Sequence, residues 1–185
     1  MKNSSFLIGL VSFLIVSTSA GAQVLSTTKG EITFFSNAPL EDISAKNSRV
    51  ISMLNPSTKE LVVRVPINQF EFPNKLMQQH FNENYLESEK HPYATFKGKV
   101  AEEVDLNKAG SYDATAVGVL TIHGVDQKRT LKGRVVVAPD GGVQLNTNFT
   151  VALVDHKIDI PKLVFKKIAE VIDVKASFGY QPFKK

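Results

Sequence analysis

The 185-residue sequence predicts an all-β protein, an antiparallel sheet closed into a sandwich or a barrel. Three observations carry this expectation. Apolar and polar residues alternate with period two through most of the chain. Clusters of turn-forming residues separate the alternating runs. The runs mostly follow one another without helical segments between them, as antiparallel neighbours can and parallel neighbours cannot.

The first 22 residues read as an export signal. Lys2 gives a positive start, Phe6 to Val16 an apolar stretch, and Ala20-Gly21-Ala22 an A-x-A cleavage pattern. The apolar stretch is about 11 residues, short of the roughly 20 that a membrane-spanning helix needs, and no later segment approaches that length. The cut is therefore expected after Ala22, with one domain over 23–185. The mature protein is expected to be periplasmic or secreted, with no integral membrane segment.

The elements then follow in order. Gly30–Ser36 and Ser48–Asn55 are the first strands, and "LNPSTKE" is the turn after them. In "ELVVRVPI", Leu61, Val63 and Val65 share one face while Glu60 and Arg64 take the other. Asn74 to about Glu87 breaks the pattern. Asn74 can cap a helix in which Leu76, Met77, His80, Phe81 and Tyr85 recur at helical spacing. "ATFKGKV" returns to a strand, with Ala94, Phe96, Gly98 and Val100 on one face.

In the Ser111–Ile122 strand, Leu120 and Ile122 imply that Ala114, Ala116 and Gly118 also point inward. So small-sided a face suits a tightly curved wall, or leaves room inside it. Val117 and Val119 then point outward, where a helix could cover them. "HGVDQK" is the next turn, and "TLKGRVVV" the next strand, with Leu131, Gly133, Val135 and Val137 aligned. "APDGG" between alternating runs marks a hairpin leading into Gly142–Val154. Pro161 to about Val171 reads as a second helix with proline in its first turn and Leu163, Ile168 and Val171–Ile172 as apolar contacts. "DVKASFGY" closes the series with Val174, Ala176, Phe178 and Tyr180 on one face.

Composition removes several function classes. Lys and Arg number 22 against 18 Asp and Glu, a net +4 that falls to +3 without the leader. The charges are scattered, which suits a solvated, mildly basic surface rather than the basic stripe of a nucleic-acid binder. Cysteine is absent, so disulfides, thiol catalysis and cysteine-held metals are excluded. An exported chain of this kind depends on its core alone, and removing 22 of 185 residues leaves enough to build one.

Three chemical readings compete with a binding protein. His80, Glu83 and Glu87 share a helix face, and His91 follows, so a metal cradle can be drawn. It lacks a second H-x-x-E motif and any H-E-x-x-H signature, and solvated side chains outweigh it. Glu102, Glu103 and Asp105 could serve acid–base hydrolysis, but they crowd one stretch instead of facing each other across a cleft. A serine triad drawn from His123 or His156 has no G-x-S-x-G elbow behind it. Asn148-Phe149-Thr150 has the form of a glycosylation acceptor but falls within a strand.

Two longer stretches resemble a known family. "LMQQHFNENYLESEKHPYATFKGKV" is similar to the helix-to-strand segment of YceI-like proteins, and "GVLTIHGVDQKRTLKGRV" resembles their strand–turn–strand signature. The opening "STTKGEITFFSNAPLEDI" departs from the family's usual first strand in having no histidine. The resemblance implies an eight-stranded antiparallel barrel of lipocalin or streptavidin type with two short α-helices. It also implies a non-enzymatic, exported carrier of a long apolar molecule, a polyisoprenoid or fatty-acid-like lipid. A barrel filled by its own side chains, with a stress-response or interaction role, is the alternative.

On the carrier reading, ligand contacts come from the barrel interior and the helix lid. The strands contribute Phe34, Leu61, Val63, Phe96, Ala116, Gly118, Leu120, Val135, Phe149, Val151 and Phe178. The lid contributes Leu76, Met77, Phe81 and Tyr85, and Tyr85 and Tyr112 offer hydroxyls for a polar head group. No catalytic residue, cofactor or metal is expected. The partner is a lipophilic small molecule rather than nucleic acid, and a homodimer is left open.

Overall fold

The computed structural model describes residues 23–37, 42–160 and 168–182. The leader lies outside these residues, as does most of the second expected helix. Eight antiparallel strands form a closed barrel in sequence order: β1 Leu25–Asn37, β2 Asp42–Leu54, β3 Glu60–Pro66, β4 Tyr93–Val100, β5 Gly110–Ile122, β6 Val125–Val137, β7 Val143–Ala152 and β8 Val171–Pro182. β1 pairs with β8 from Phe35↔Asp173 to Leu25↔Pro182, which closes the sheet on itself and leaves no strand edge.

The strand alternation sorts side chains as expected. Along β3, Leu61, Val63 and Val65 are buried while Val62 and Arg64 are exposed. The same parity places Ala114 and Leu120 of β5, Leu131 and Val135 of β6, and Ala176 and Phe178 of β8 in one core. Several strands run longer than their alternation suggested. β6 begins at Val125 because His123 and Gly124, at φ +52° and +72°, form a two-residue hairpin loop. The "HGVDQK" turn is thus only two residues long. In the "APDGG" hairpin, Gly141 takes φ +85° and the Ala138 N–H donates to the Gly142 carbonyl.

The helix after β3 forms where Asn74 predicts it. α1 spans Lys75–His80, and the Asn74 side chain accepts from the Leu76 and Met77 amides at 2.9 and 3.4 Å. It runs on through a π-helical turn over Phe81–Tyr85. The second expected helix is not continued into the described residues. Residues 168–170 are irregular and Val171 already belongs to β8. The expectation that a helix covers the outer side of β5 is also corrected, since Val117 is 53% exposed.

Gly118 answers the question of its small-sided strand. A Cβ there would lie 2.3 Å from the Lys97 carbonyl oxygen and 2.5 Å from the Gly98 Cα. Gly98 and Gly118 are paired across β4 and β5, so the two backbones meet where a side chain would separate them. The glycines serve wall curvature, whereas Ala114 and Ala116 of the same strand leave space inside.

The strand directions give the barrel two unlike ends. The short β2–β3, β4–β5 and β6–β7 connections share one end. The other end carries the segment with α1, the His123-Gly124 turn, and the β7–β8 connection with its 3₁₀ turn over Leu153–His156.

Candidate functional site: an apolar cavity along the barrel axis

The end with the short β2–β3, β4–β5 and β6–β7 connections is filled. Val135, Val137, Phe178 and Tyr180 are each at most 5% exposed there. The Tyr180 hydroxyl lies 2.8 Å from Ser52 Oγ, whose own hydroxyl donates to the Val62 carbonyl at 3.3 Å. Burial pushes the Tyr180 phenol far above its ordinary value, and the Ser52 bond only partly opposes this. The tyrosine therefore stays neutral as part of a packed floor.

Above the floor lies about 80 Å³ of free space, lined by Leu61, Val63, Phe96, Ala114, Ala116, Leu120, Phe149 and Phe178 among others. Towards the opposite end lies a second space of about 180 Å³, lined by Phe34, Phe70, Phe72, Phe81, Tyr85, Val151 and their neighbours. Ile32, Val65, Ala94, Leu120 and Phe149 border both, so the two spaces adjoin along the axis. Each is far larger than the roughly 10–15 Å³ that admits one water. Their polar lining is sparse: Thr95 and Thr147 in the lower space, Ser36 and Tyr85 in the upper. Water gains few hydrogen bonds in such a space, while apolar atoms find contacts on every side.

The helical segment packs over part of the upper space. Phe81 stacks on Phe34 of β1 with centroids 5.6 Å apart, and it meets Phe70 and Phe72 at 5.5 and 5.0 Å. Tyr85, one helical turn on, also faces the space. Burial raises its phenol above the ordinary value, and its hydroxyl makes no hydrogen bond to a described residue. Met77 packs at the core's edge, but Leu76 is 58% exposed and turned away.

Of the sixteen positions singled out from the sequence, Phe34, Leu61, Val63, Phe81, Tyr85, Phe96, Ala116, Leu120, Phe149, Val151 and Phe178 thus border the axial space. Leu76, Met77, Gly118, Val135 and Tyr112 do not. Tyr112 lies near the filled end, where its hydroxyl donates to the Lys108 carbonyl at 2.8 Å, so it is no head-group contact for the upper space. Phe70 and Phe72 escaped the sequence reading because "FEFP" is too short to show a period. Ile168 and Ile172, expected as the apolar contacts of a second helix, border the upper space together with Ile158.

Three of the four histidines gather on the rim beside this space. His123 Nε2 lies 3.1 Å from Glu87 Oε2, and its Nδ1 lies 3.2 Å from the His156 carbonyl. The His91 ring stands edge-on to His123 at 4.8 Å. Lys90 pairs with the other Glu87 oxygen, and Lys90 and then His123 hold the Glu87 carboxyl below its usual value. His156 is fully buried and donates from Nδ1 to the Val125 carbonyl at 3.1 Å; burial lowers its pKa. His80, at the end of α1, and Glu83, in the π-helical turn, are exposed and lie outside this group. Glu102 accepts from the Thr115 amide at 2.6 Å; hydrogen bonding to the Thr115 side chain and then to its amide holds the carboxyl low, and Glu103 pairs with Lys59. Both border one surface pocket together with Asp105, on the same stretch of chain.

The sequence matches the family described as the YceI-like domain over residues 12–179. The chain belongs to the YceI-like family. Solved structures agree on the fold. A polyisoprenoid binding domain from Saccharophagus degradans, implicated in plant cell wall breakdown, superposes with a TM-score of 0.73 at 12% identity. That alignment covers 88% of this chain and 99% of the other. BcnA of Burkholderia cenocepacia gives 0.66 at 13% identity over 83% and 96%. The YceI protein of Campylobacter jejuni gives 0.52 at 21% identity over the whole of both chains. No curated protein sequence matches. Within this YceI-like barrel the first strand lines the site. β1 supplies Ile32 and Phe34 to the axial space and no histidine to its rim.

Proposed function

We propose that the protein is an exported, non-enzymatic carrier that holds one long apolar molecule, a polyisoprenoid or a fatty-acid-like chain, along the barrel axis. The adjoining pair of apolar spaces, closed below by Phe178 and Tyr180 and covered above by Phe81, is the observation that carries this reading. Each CH₂ moved from water into such a space contributes about 0.8 kcal/mol, so a chain needs no polar anchor to bind tightly. Tyr85, with its free hydroxyl beside the lid, is the natural contact for a polar head group. The polyisoprenoid binding domain of similar fold supports the ligand class. The A-x-A pattern before Gln23 supports export to the periplasm or beyond. A barrel filled by its own side chains fits less well, because the filling stops at the floor.

Native mass spectrometry of the purified chain, followed by solvent extraction, tests the proposal. A bound lipid released into the organic phase is expected. A mass at the bare-chain value, with no uptake when long-chain lipids are added back, rules it out.

A further inference from the structure

We propose that Glu87, His91 and His123 form a binding site for a zinc-class divalent transition metal, which latches the helical lid to the barrel rim. One ligand atom from each residue lies within 4.8 Å of the others. Zinc holds imidazole nitrogen and carboxylate oxygen at about 2.0–2.2 Å, so two ligands in tetrahedral array lie roughly 3.3 Å apart. The observed 3.1 Å between Glu87 Oε2 and His123 Nε2 matches that spacing.

The hydrogen bonds around the cluster set which ring atom meets the metal. A carbonyl only accepts, so the 3.2 Å contact to the His156 carbonyl fixes a proton on His123 Nδ1. Nε2, turned to Glu87 Oε2 at 3.1 Å, is then the ligand atom, and a metal there takes the place of the His123–Glu87 hydrogen bond. An imidazole held through Nδ1 by a backbone carbonyl, with Nε2 turned towards a carboxylate, is arranged as metal-bound histidines are. That carbonyl is itself well held. It belongs to a fully buried residue whose ring is tied to Val125 in the strand leaving the same turn.

Two backbone features hold the group together. Glu87 adopts φ +42°, a left-handed conformation that costs a non-glycine residue of order 1 kcal/mol or more. At Gly124 a Cβ would come within 2.8 Å of the His91 ring, so the glycine that makes the hairpin also admits the second imidazole. Lys90 occupies Glu87 Oε1 and leaves Oε2 to the metal. All three ligands are half-buried, which leaves a side open for water as a fourth ligand. Two imidazoles and one carboxylate suit Zn²⁺, Ni²⁺ or Cu²⁺ better than Mg²⁺ or Ca²⁺.

The site joins the segment after the lid to the β5–β6 turn, 36 residues away in sequence. Leu86 and Ile122, chain neighbours of Glu87 and His123, both border the upper space. A bound metal therefore ties down the lid edge directly over that space. This holds whether or not a lipid fills the barrel.

The test uses metal-stripped chain without a polyhistidine tag, titrated calorimetrically with Zn²⁺ at neutral to mildly alkaline pH. Co²⁺ serves as the spectroscopic probe of a tetrahedral site. One equivalent is expected in the parent and in H80A. Roughly a hundredfold weaker binding is expected in H91A and in H123A, since outer-shell losses alone cost about 10–100-fold. Hydrogen exchange over residues 75–86 should slow on adding Zn²⁺ to the parent and not to H91A. Absence of stoichiometric uptake, or uptake that survives H91A, overturns the site. Stoichiometric uptake with unchanged exchange in the lid overturns the latch.

Discussion

Filling the lower space should strengthen the protein and weaken its binding. Ala116 borders the roughly 80 Å³ between the floor and the Leu120–Phe149 throat. Ala116→Leu places branched methyl groups in that space. Unfilled core volume costs about 24 cal/mol per Å³, so occupying most of 80 Å³ is worth up to about 2 kcal/mol in the lipid-free protein. For a domain of this size that is a rise of roughly 4–8 °C in melting temperature. The same methyl groups confine a guest chain to the upper space. Each methylene kept out forfeits about 0.8 kcal/mol, so excluding two or three weakens a long chain by more than tenfold. The assay pairs thermal melts of delipidated parent and variant with lipid titrations on the same samples. Higher stability with poorer binding cannot arise from misfolding. A variant that binds long chains as tightly as the parent, or melts lower when lipid-free, would refute the reasoning.

Other positions test separate parts of the account. Phe81→Ala removes the stack on Phe34 and the contacts to Phe70 and Phe72. Because Phe81 is half-buried, we expect a loss of about 2 kcal/mol, below the 3–5 typical of a buried phenylalanine, together with faster lipid release in stopped-flow displacement. Gly118→Ala forces a Cβ against the Lys97 carbonyl, so urea unfolding should show a loss of about 2–4 kcal/mol with no change in cavity chemistry. Tyr180→Phe removes the bond to Ser52 and should cost about 1 kcal/mol at neutral pH. The folded-state pKa of Tyr180 lies above the ordinary value of 10.0, so its stabilisation is full below pH 10 and is lost as pH rises beyond. The gap between parent and Y180F in denaturant midpoint should therefore close above pH 10; a constant gap would show that Tyr180 ionises freely.

Much of this architecture is legible in the sequence, and the reasons are local. "ELVVRVPI" and "DVKASFGY" could be assigned because one face of each is buried and the other wet, so burial writes itself as alternation. Asn74 announced its helix because a cap is a contact between near neighbours. Hairpins carry similar local chemistry, though His123-Gly124 shows the limit. Only the pair of left-handed residues is turn, and the polar residues after it belong to β6.

The site was less legible because it depends on contacts distant in sequence. Leu76 and Phe81 both fit a helical period, and only packing against Phe34 decides which is inside. Gly118 and Ala116 are equally small, yet one is claimed by the opposing backbone and the other by open space. Spacing groups His80, Glu83 and Glu87 on one helix face with His91 after it, because it shows only one stretch of chain at a time. The residue the fold brings to Glu87 and His91 is His123, in a hairpin 36 residues from Glu87, and it becomes visible only when the barrel closes.

The central claim, one apolar chain held along the axis, is tested most directly by a chain-length series titrated into delipidated protein. Affinity should tighten by about 0.8 kcal/mol for each added CH₂ and then level off once the space between Tyr85 and Phe178 is full. Affinity that does not depend on chain length would contradict the account.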